Sequence, residues 1–150
     1  DNPVPVTMQT FGILLVGGLY GPRLTLLSIF SYMIIGIIGV PVFQSHNGGI
    51  DYFFGVTGGY LIGFIFASVI ISILSNSGLK KGLSLWAMII GNLMIYVTAL
   101  VWLTVYDFGW PEKGKLFSQA VYPFLIGDFI KLILASLSVN ILWKLSKINK

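Results

Sequence analysis

The sequence predicts an all-α protein, a polytopic membrane helical bundle that forms a single transmembrane domain over residues 1–150. Hydrophobic residues make up 56% of the chain and charged residues only 9%, whereas charged residues are about 25% of a typical soluble protein. The apolar residues fall into five runs, separated by short segments rich in proline, glycine and polar residues. Five membrane spans are therefore expected in this chain.

The first two runs cover residues 8–20 and 24–40 and meet at Gly21 and Pro22. Proline suits the first turn of a helix, so the second helix is predicted to begin near Pro22. The first run is short for a span, which needs about 20 residues. Residues 41–54 then form a polar and aromatic loop with the only histidine, His46, and we expect this loop to cover a binding site.

The third run covers residues 55–74, and Thr57 is its predicted N-cap. A turn with two lysines at 76–82 leads to the fourth run, residues 83–106. A second polar loop at 107–115 precedes the last helix, which is predicted to begin near Pro123 and to end near Leu145.

The positive charges orient the bundle. If every run spans, six of the basic side chains fall on one side: Arg23, Lys80, Lys81, Lys144, Lys147 and Lys150. The positive-inside rule then places the C-terminus in the cytoplasm and both polar loops outside. Five spans would leave Asp1 outside with no helix before it, so a first helix of a six-helix protein is expected to be absent from this chain. The net charge of +4 is explained by these flanking residues, and no nucleic-acid partner is predicted.

The last apolar run contains an acid and a base, Asp128 and Lys131, three residues apart and hence on one helix face. Each charge costs about 2.5 to 3.5 kcal/mol at the centre of a membrane, so such groups face a partner or a polar cavity. Two interpretations follow: the pair binds a ligand, or the two charges only neutralise each other.

Other candidate residues have two interpretations as well. The backbone N–H groups of Thr57, Gly58 and Gly59 can seat a carboxylate at a helix start, or the glycines serve close packing, since Gly59 and Gly63 have GxxxG spacing. Asn92, in the middle of the fourth run, is more typical of a hydrogen bond between helices than of a ligand contact.

Two further polar side chains lie near helix ends in the sequence. Tyr60 suits either a binding pocket or the membrane interface. Gln9, where the first run begins, suits either ligand binding or helix capping.

Several stretches together resemble the BioY family, the substrate-binding S components of biotin transporters of the energy-coupling factor type. They are PVPVTMQTFGILLVGGLYGPRL at 3–24, GVPVF at 39–43, GVTGGYLIGF at 55–64 and GDFIKL at 127–132. The family usually has proline where Val56 stands, and small residues where this chain has QSHNGG at 44–49. The resemblance covers nearly the whole chain in the right order.

This resemblance implies a biotin-binding subunit for biotin uptake in a bacterial plasma membrane, with no cofactor. Its implied partners are biotin, the lipid bilayer, a transmembrane coupling protein and two cytoplasmic ATPases that hydrolyse ATP. Asp128 and Lys131 have the right polarity for the ureido group of biotin, and Tyr60 and Phe43 suit its ring. The remaining candidates for substrate contacts are Thr57, Gly58, Gly59, Asn47, Asn92 and Gln9.

Two other classes of function were weighed. An intramembrane enzyme would need a nucleophile or a metal beside the acid and base, which the apolar runs do not supply, so no catalytic residue is predicted. His46 has no second ligand at metal spacing, so no metal site is predicted either. A solitary proton-coupled carrier of biotin or another small vitamin, with Asp128 exchanging protons, is the alternative function.

Overall fold

The computed structural model describes residue 4 and residues 7–77 and 84–148, with side chains up to residue 146. Within these residues all regular secondary structure is helical, apart from an isolated bridge between Phe43 and Asn47. The α-helices are α1 (Gln9–Leu19), α2 (Pro22–Ile37), α3 (Ile50–Phe53), α4 (Gly58–Asn76), α5 (Ser84–Val105), α6 (Leu116–Ala120) and α7 (Tyr122–Ile148).

The all-helical prediction is confirmed, and each of the five apolar runs is a helix: α1, α2, α4, α5 and α7. Within the described residues, three helical segments are long and apolar enough to cross a membrane, namely Gly58–Asn76, Ser84–Val105 and Leu116–Ser146. Helices α1 and α2 are shorter, with 11 and 16 residues. Residues 78–82 of the predicted lysine turn at 76–82 lie outside the described residues, as do the side chains of Lys147 and Lys150.

Two predictions about helix starts had different outcomes. Pro22 occupies the first turn of α2, as predicted. Thr57 stands at the N-cap position of α4, but its side chain makes no capping hydrogen bond. Its backbone already has helical angles, with φ −81° and ψ −9°, whereas a capping side chain usually extends from a residue in the β region.

Helix α4 lies at the centre of the bundle, where it packs against α5, α1 and α2, and α7 closes the bundle against α1 and α5. Glycines bring α4 and α5 close together. A Cβ atom at Gly59 or Gly63 would lie 2.8 Å from the Cα of Ala99 or Ile95, respectively. The packing interpretation of the GxxxG spacing is therefore supported.

Contacts between the helix ends show which loops lie at the same end of the bundle. At one end, Trp102 Nε1 donates to the carbonyl of Gly55, and the Tyr60 hydroxyl donates to the carbonyl of Ala120. These bonds bring the 41–57 and 106–121 segments together. At the other end, Trp143 Nε1 donates to the carbonyl of Gly18. Both polar loops thus lie at one end of the molecule, which we call the loop end, as the alternating spans predict.

Candidate ligand-binding site

A small cavity lies inside the bundle towards the loop end. Its volume is about 50 Å³. Helices α1, α4, α5 and α7 contribute to its wall, together with the segment before α1 and the 41–57 segment. The polar lining residues are Thr7, Gln9, Thr10, Gln44, Tyr52, Thr57, Tyr60, Tyr96, Asp128 and Lys131. The apolar lining residues are Val4, Leu61, Phe64, Ile95 and Phe124.

The acid and base of α7 form a buried ion pair in the wall of this cavity. Lys131 Nζ lies 3.0 Å from Asp128 Oδ1, and each residue is only 6% exposed. The two residues lie one turn apart on the inward face of α7, whereas large apolar side chains such as Phe129 and Ile130 are exposed on its outward face. A buried pair that borders a cavity can bind a polar ligand as well as balance its own charge.

Two donors from α5 hold the other oxygen of the carboxylate. The Tyr96 hydroxyl lies 2.5 Å from Asp128 Oδ2, and Asn92 Nδ2 lies 3.3 Å from the same atom. Asn92 thus forms the hydrogen bond between helices that its position predicts. The sequence analysis missed Tyr96, although its spacing of four residues from Asn92 places both on one face of α5.

Three more predicted residues line the cavity. The Tyr60 side chain is 8% exposed and packs its ring edge to face against Phe124, with centroids 6.1 Å apart. Thr57 is buried beside it at the start of α4. Gln9 lines the cavity from α1 and donates from Nε2 to the Tyr32 hydroxyl at 2.5 Å.

The other predicted residues lie outside the lining. Phe43 is buried against the rings of Tyr32 and Tyr52, in a gap that exists because Gly36 has no side chain. Asn47 is exposed and donates to the carbonyl of Gln44. Gly58 and Gly59 face Trp102 and Ala99 instead of the cavity. Any contact of these residues with a ligand stays a prediction.

The cover of the cavity was only partly anticipated. Val4, Thr7, Gln44 and Tyr52 come from segments outside the five apolar helices, and they meet over the cavity. The 41–54 loop was predicted to cover a site, and Gln44 and Tyr52 lie in it. Burial raises the pKa of the Tyr52 hydroxyl. His46 is exposed, and within the described residues no three histidine, cysteine, aspartate or glutamate side chains are grouped as a metal site would require.

Among the described residues, apolar helices surround a small cavity whose wall holds a buried ion pair, which is the architecture of a multi-pass membrane protein with an internal polar cavity. The sequence model of the BioY family matches residues 1–148. The chain therefore belongs to the BioY family.

Individual relatives agree with this assignment. The chain is 38% identical over 131 residues to a probable biotin transporter BioY of Pyrococcus horikoshii, covering 87% of this chain and 75% of that protein. It is 33% identical over 136 residues to the biotin transporter BioY of Thermotoga maritima, covering 91% and 79%.

A solved structure has the same fold. The crystal structure of the S-component for biotin from an ECF-type ABC transporter superposes with a TM-score of 0.83 and 30% sequence identity. The superposition covers 96% of this chain and 78% of that chain.

Proposed function

We propose that this chain is the biotin-binding subunit of a membrane system for biotin uptake. The observation that carries the proposal is the buried pair of Asp128 and Lys131 at the cavity wall, in a chain of the BioY family. Relatives from Pyrococcus horikoshii and Thermotoga maritima bear the name of biotin transporters.

The chemistry of the pair suits the ureido group of biotin, which has two N–H donors and one carbonyl acceptor. The Asp128 carboxylate accepts an N–H group, and the Lys131 ammonium donates to the carbonyl. Aromatic rings of Tyr60, Phe64 and Phe124 border the same cavity and supply an apolar wall for the fused ring system. Gln9 and Thr57 are the proposed polar contacts nearer the cover.

Ligand entry requires the cavity to open. A single water molecule needs a cavity of about 10–15 Å³. The cavity of about 50 Å³ therefore holds only a few waters. Sites for small molecules span roughly 300–1,000 Å³. Val4, Thr7, Gln44 and Tyr52 cover the cavity and belong to none of the long helices, so we propose that these segments move apart to admit biotin.

The remaining parts of the proposal concern the assembly. The subunit lies in the bacterial plasma membrane with its C-terminus in the cytoplasm, and biotin enters from the loop end. A transmembrane coupling protein and two cytoplasmic ATPases supply the energy, since the chain has no GxxxxGK[ST] sequence for ATP. It has no catalytic role of its own.

Calorimetric titration of the detergent-purified protein with biotin tests the binding proposal. Thiamine and riboflavin serve as control vitamins, because neither contains the fused ureido and thioether rings of biotin. Tight binding of biotin alone is expected. Equal binding of all three vitamins, or of none, contradicts the proposal.

Uptake by cells that produce this chain with and without the coupling protein and the ATPases tests the assembly. We expect uptake to require the ATPases and to be independent of the pH gradient. Uptake by the chain alone, driven by a pH gradient, would instead establish the proton-coupled carrier.

A further inference from the structure

We infer that Tyr96 and Asn92 set the hydrogen-bond pattern that the site recognises, because together they saturate one oxygen of Asp128. The inference rests on the proposed function and assigns the two residues of α5 a role in specificity: they make the site select a neutral urea or cis-amide edge over a cationic guanidinium.

The hydrogen-bond capacity of the carboxylate is nearly used up inside the protein. An ionised carboxylate has about four lone-pair sites, two on each oxygen. Asp128 Oδ2 accepts from Tyr96 and from Asn92, and Oδ1 accepts from Lys131. Among the described residues, this leaves one lone-pair site for a ligand, on Oδ1 next to the Lys131 ammonium.

The orientation of Asn92 indicates that its donor is held on Asp128 at a cost. Asn92 is 6% exposed, and its Oδ1 is buried without a hydrogen-bond partner among the described residues. A buried acceptor without a partner has lost its hydrogen bonds to water and gained none in exchange, which is unfavourable. Buried acceptors without a partner are rare in folded proteins. The donation from Nδ2 to Asp128 explains why the Asn92 amide keeps this orientation.

The remaining groups define which ligands fit. One acceptor site beside an ammonium donor matches an N–H group next to a carbonyl, which is the edge of a urea or a cis amide. A guanidinium in the same place brings donors where Lys131 also donates, and a second positive charge. The two donors on Oδ2 also lower the carboxylate's attraction for a cation, because they already share its negative charge.

The test compares biotin with 2-iminobiotin, its analogue with a guanidinium in place of the urea. Affinities of both ligands are measured by competition against labelled biotin for the wild type, Tyr96→Phe and Asn92→Ala. Each substitution frees an acceptor site on Oδ2, so the preference for biotin over 2-iminobiotin is expected to fall about fivefold or more. Thermal melting in detergent shows that each variant is folded.

Tyr60→Phe is the matched control, because it removes a hydroxyl from the same cavity. That hydroxyl donates to the carbonyl of Ala120 and not to Asp128, so any change should affect both ligands by the same factor. A preference that stays at the wild-type value in Tyr96→Phe and Asn92→Ala overturns the inference, even if both affinities fall. If the wild-type protein does not bind biotin, the proposed function itself is contradicted. This outcome is detected before any variant is measured.

Discussion

Two polar clusters among the described residues differ in charge and in the hydrogen-bond capacity that they leave unused. The cavity cluster consists of Asp128, Lys131, Tyr96 and Asn92 and carries a formal ion pair. The helix-end cluster lies at the end opposite the loops, where the Tyr20 carbonyl accepts from three side chains of α2 and α4: Ser72 at 2.6 Å, and Thr25 and Asn76 at 3.3 Å each.

The helix-end cluster has a structural explanation. The last carbonyls of a helix lack partners within it, and Pro22, which begins α2, has no N–H to offer. The hydroxyl and amide donors around Tyr20 satisfy this carbonyl, and they are neutral. The cavity cluster instead retains a lone-pair site on Asp128 and borders a cavity. The comparison suggests that spare hydrogen-bond capacity beside a cavity, and not burial of polar groups alone, distinguishes a binding site.

The largest expected effect comes from Lys131→Met. It leaves the Asp128 carboxylate buried without its cation, which typically costs about 3–5 kcal/mol, and it removes the proposed donor to the ureido carbonyl. We expect a lower melting temperature and at least tenfold weaker biotin binding, measured by thermal denaturation and calorimetry in detergent.

Lys115→Met is the matched control for that variant. It breaks a 2.6 Å ion pair with Glu112 that is exposed in the loop, and the Lys115 ammonium holds the pKa of Glu112 below its usual value. Stability and binding should both stay at the wild-type level. Equal losses in the two variants would show that the buried pair has no special role.

Glycine packing beside the cavity should give the next largest effect. In Gly59→Ala the new methyl group meets Trp102 and the backbone of Ala99, and overpacking of this kind costs about 1–3 kcal/mol. Gly12→Ala is the control, since no atom lies within 4 Å of a Cβ there, and it should be neutral or stabilising. Thermal melting of both variants measures the change in stability. Unchanged stability of Gly59→Ala would contradict the close approach of α4 and α5.

A smaller effect is expected at the helix-end cluster. Ser72→Ala removes the 2.6 Å hydrogen bond to the Tyr20 carbonyl, so the free energy of unfolding should fall by about 1 kcal/mol. Biotin affinity should remain within about twofold of the wild type, because binding is assigned to the other cluster. A large loss of affinity in this folded variant would break the distinction between the clusters.

The smallest effect is expected from His46→Asn. His46 is exposed, lies outside the cavity lining and has a φ of 59°, a conformation that asparagine tolerates. Calorimetry should give wild-type biotin affinity. A marked loss would mean that the loop, and not α7, dominates recognition.

The fold was predictable from the sequence because membrane helices are recognisable as long runs of apolar residues. The start of α2 at Pro22 and the ion pair of α7 follow from local rules. Asp128 and Lys131 stood out for the same reason: charges are rare in apolar runs.

The rest of the site depends on contacts between distant segments. Tyr96 looks like any aromatic residue of a membrane helix until α5 is packed against α7 and its hydroxyl reaches Asp128. Phe43 was expected to contact the ligand; its ring fills the gap at Gly36 outside the cavity lining, and the contact stays a prediction. The capping of α4 by Thr57 failed because the backbone before α4 already turns. None of these contacts is visible in local sequence patterns.

The free acceptor site of Asp128 is proposed to hold the ligand, and calorimetric titration of Asp128→Asn with biotin tests this assignment. Asp107→Asn is the control: Asp107 is exposed in the loop, and an asparagine there can still accept the Gly109 N–H. Asp128→Asn should weaken binding at least tenfold, about 1.4 kcal/mol or more, while Asp107→Asn keeps the wild-type affinity. Wild-type affinity in folded Asp128→Asn would contradict the claim and leave the buried pair a structural role.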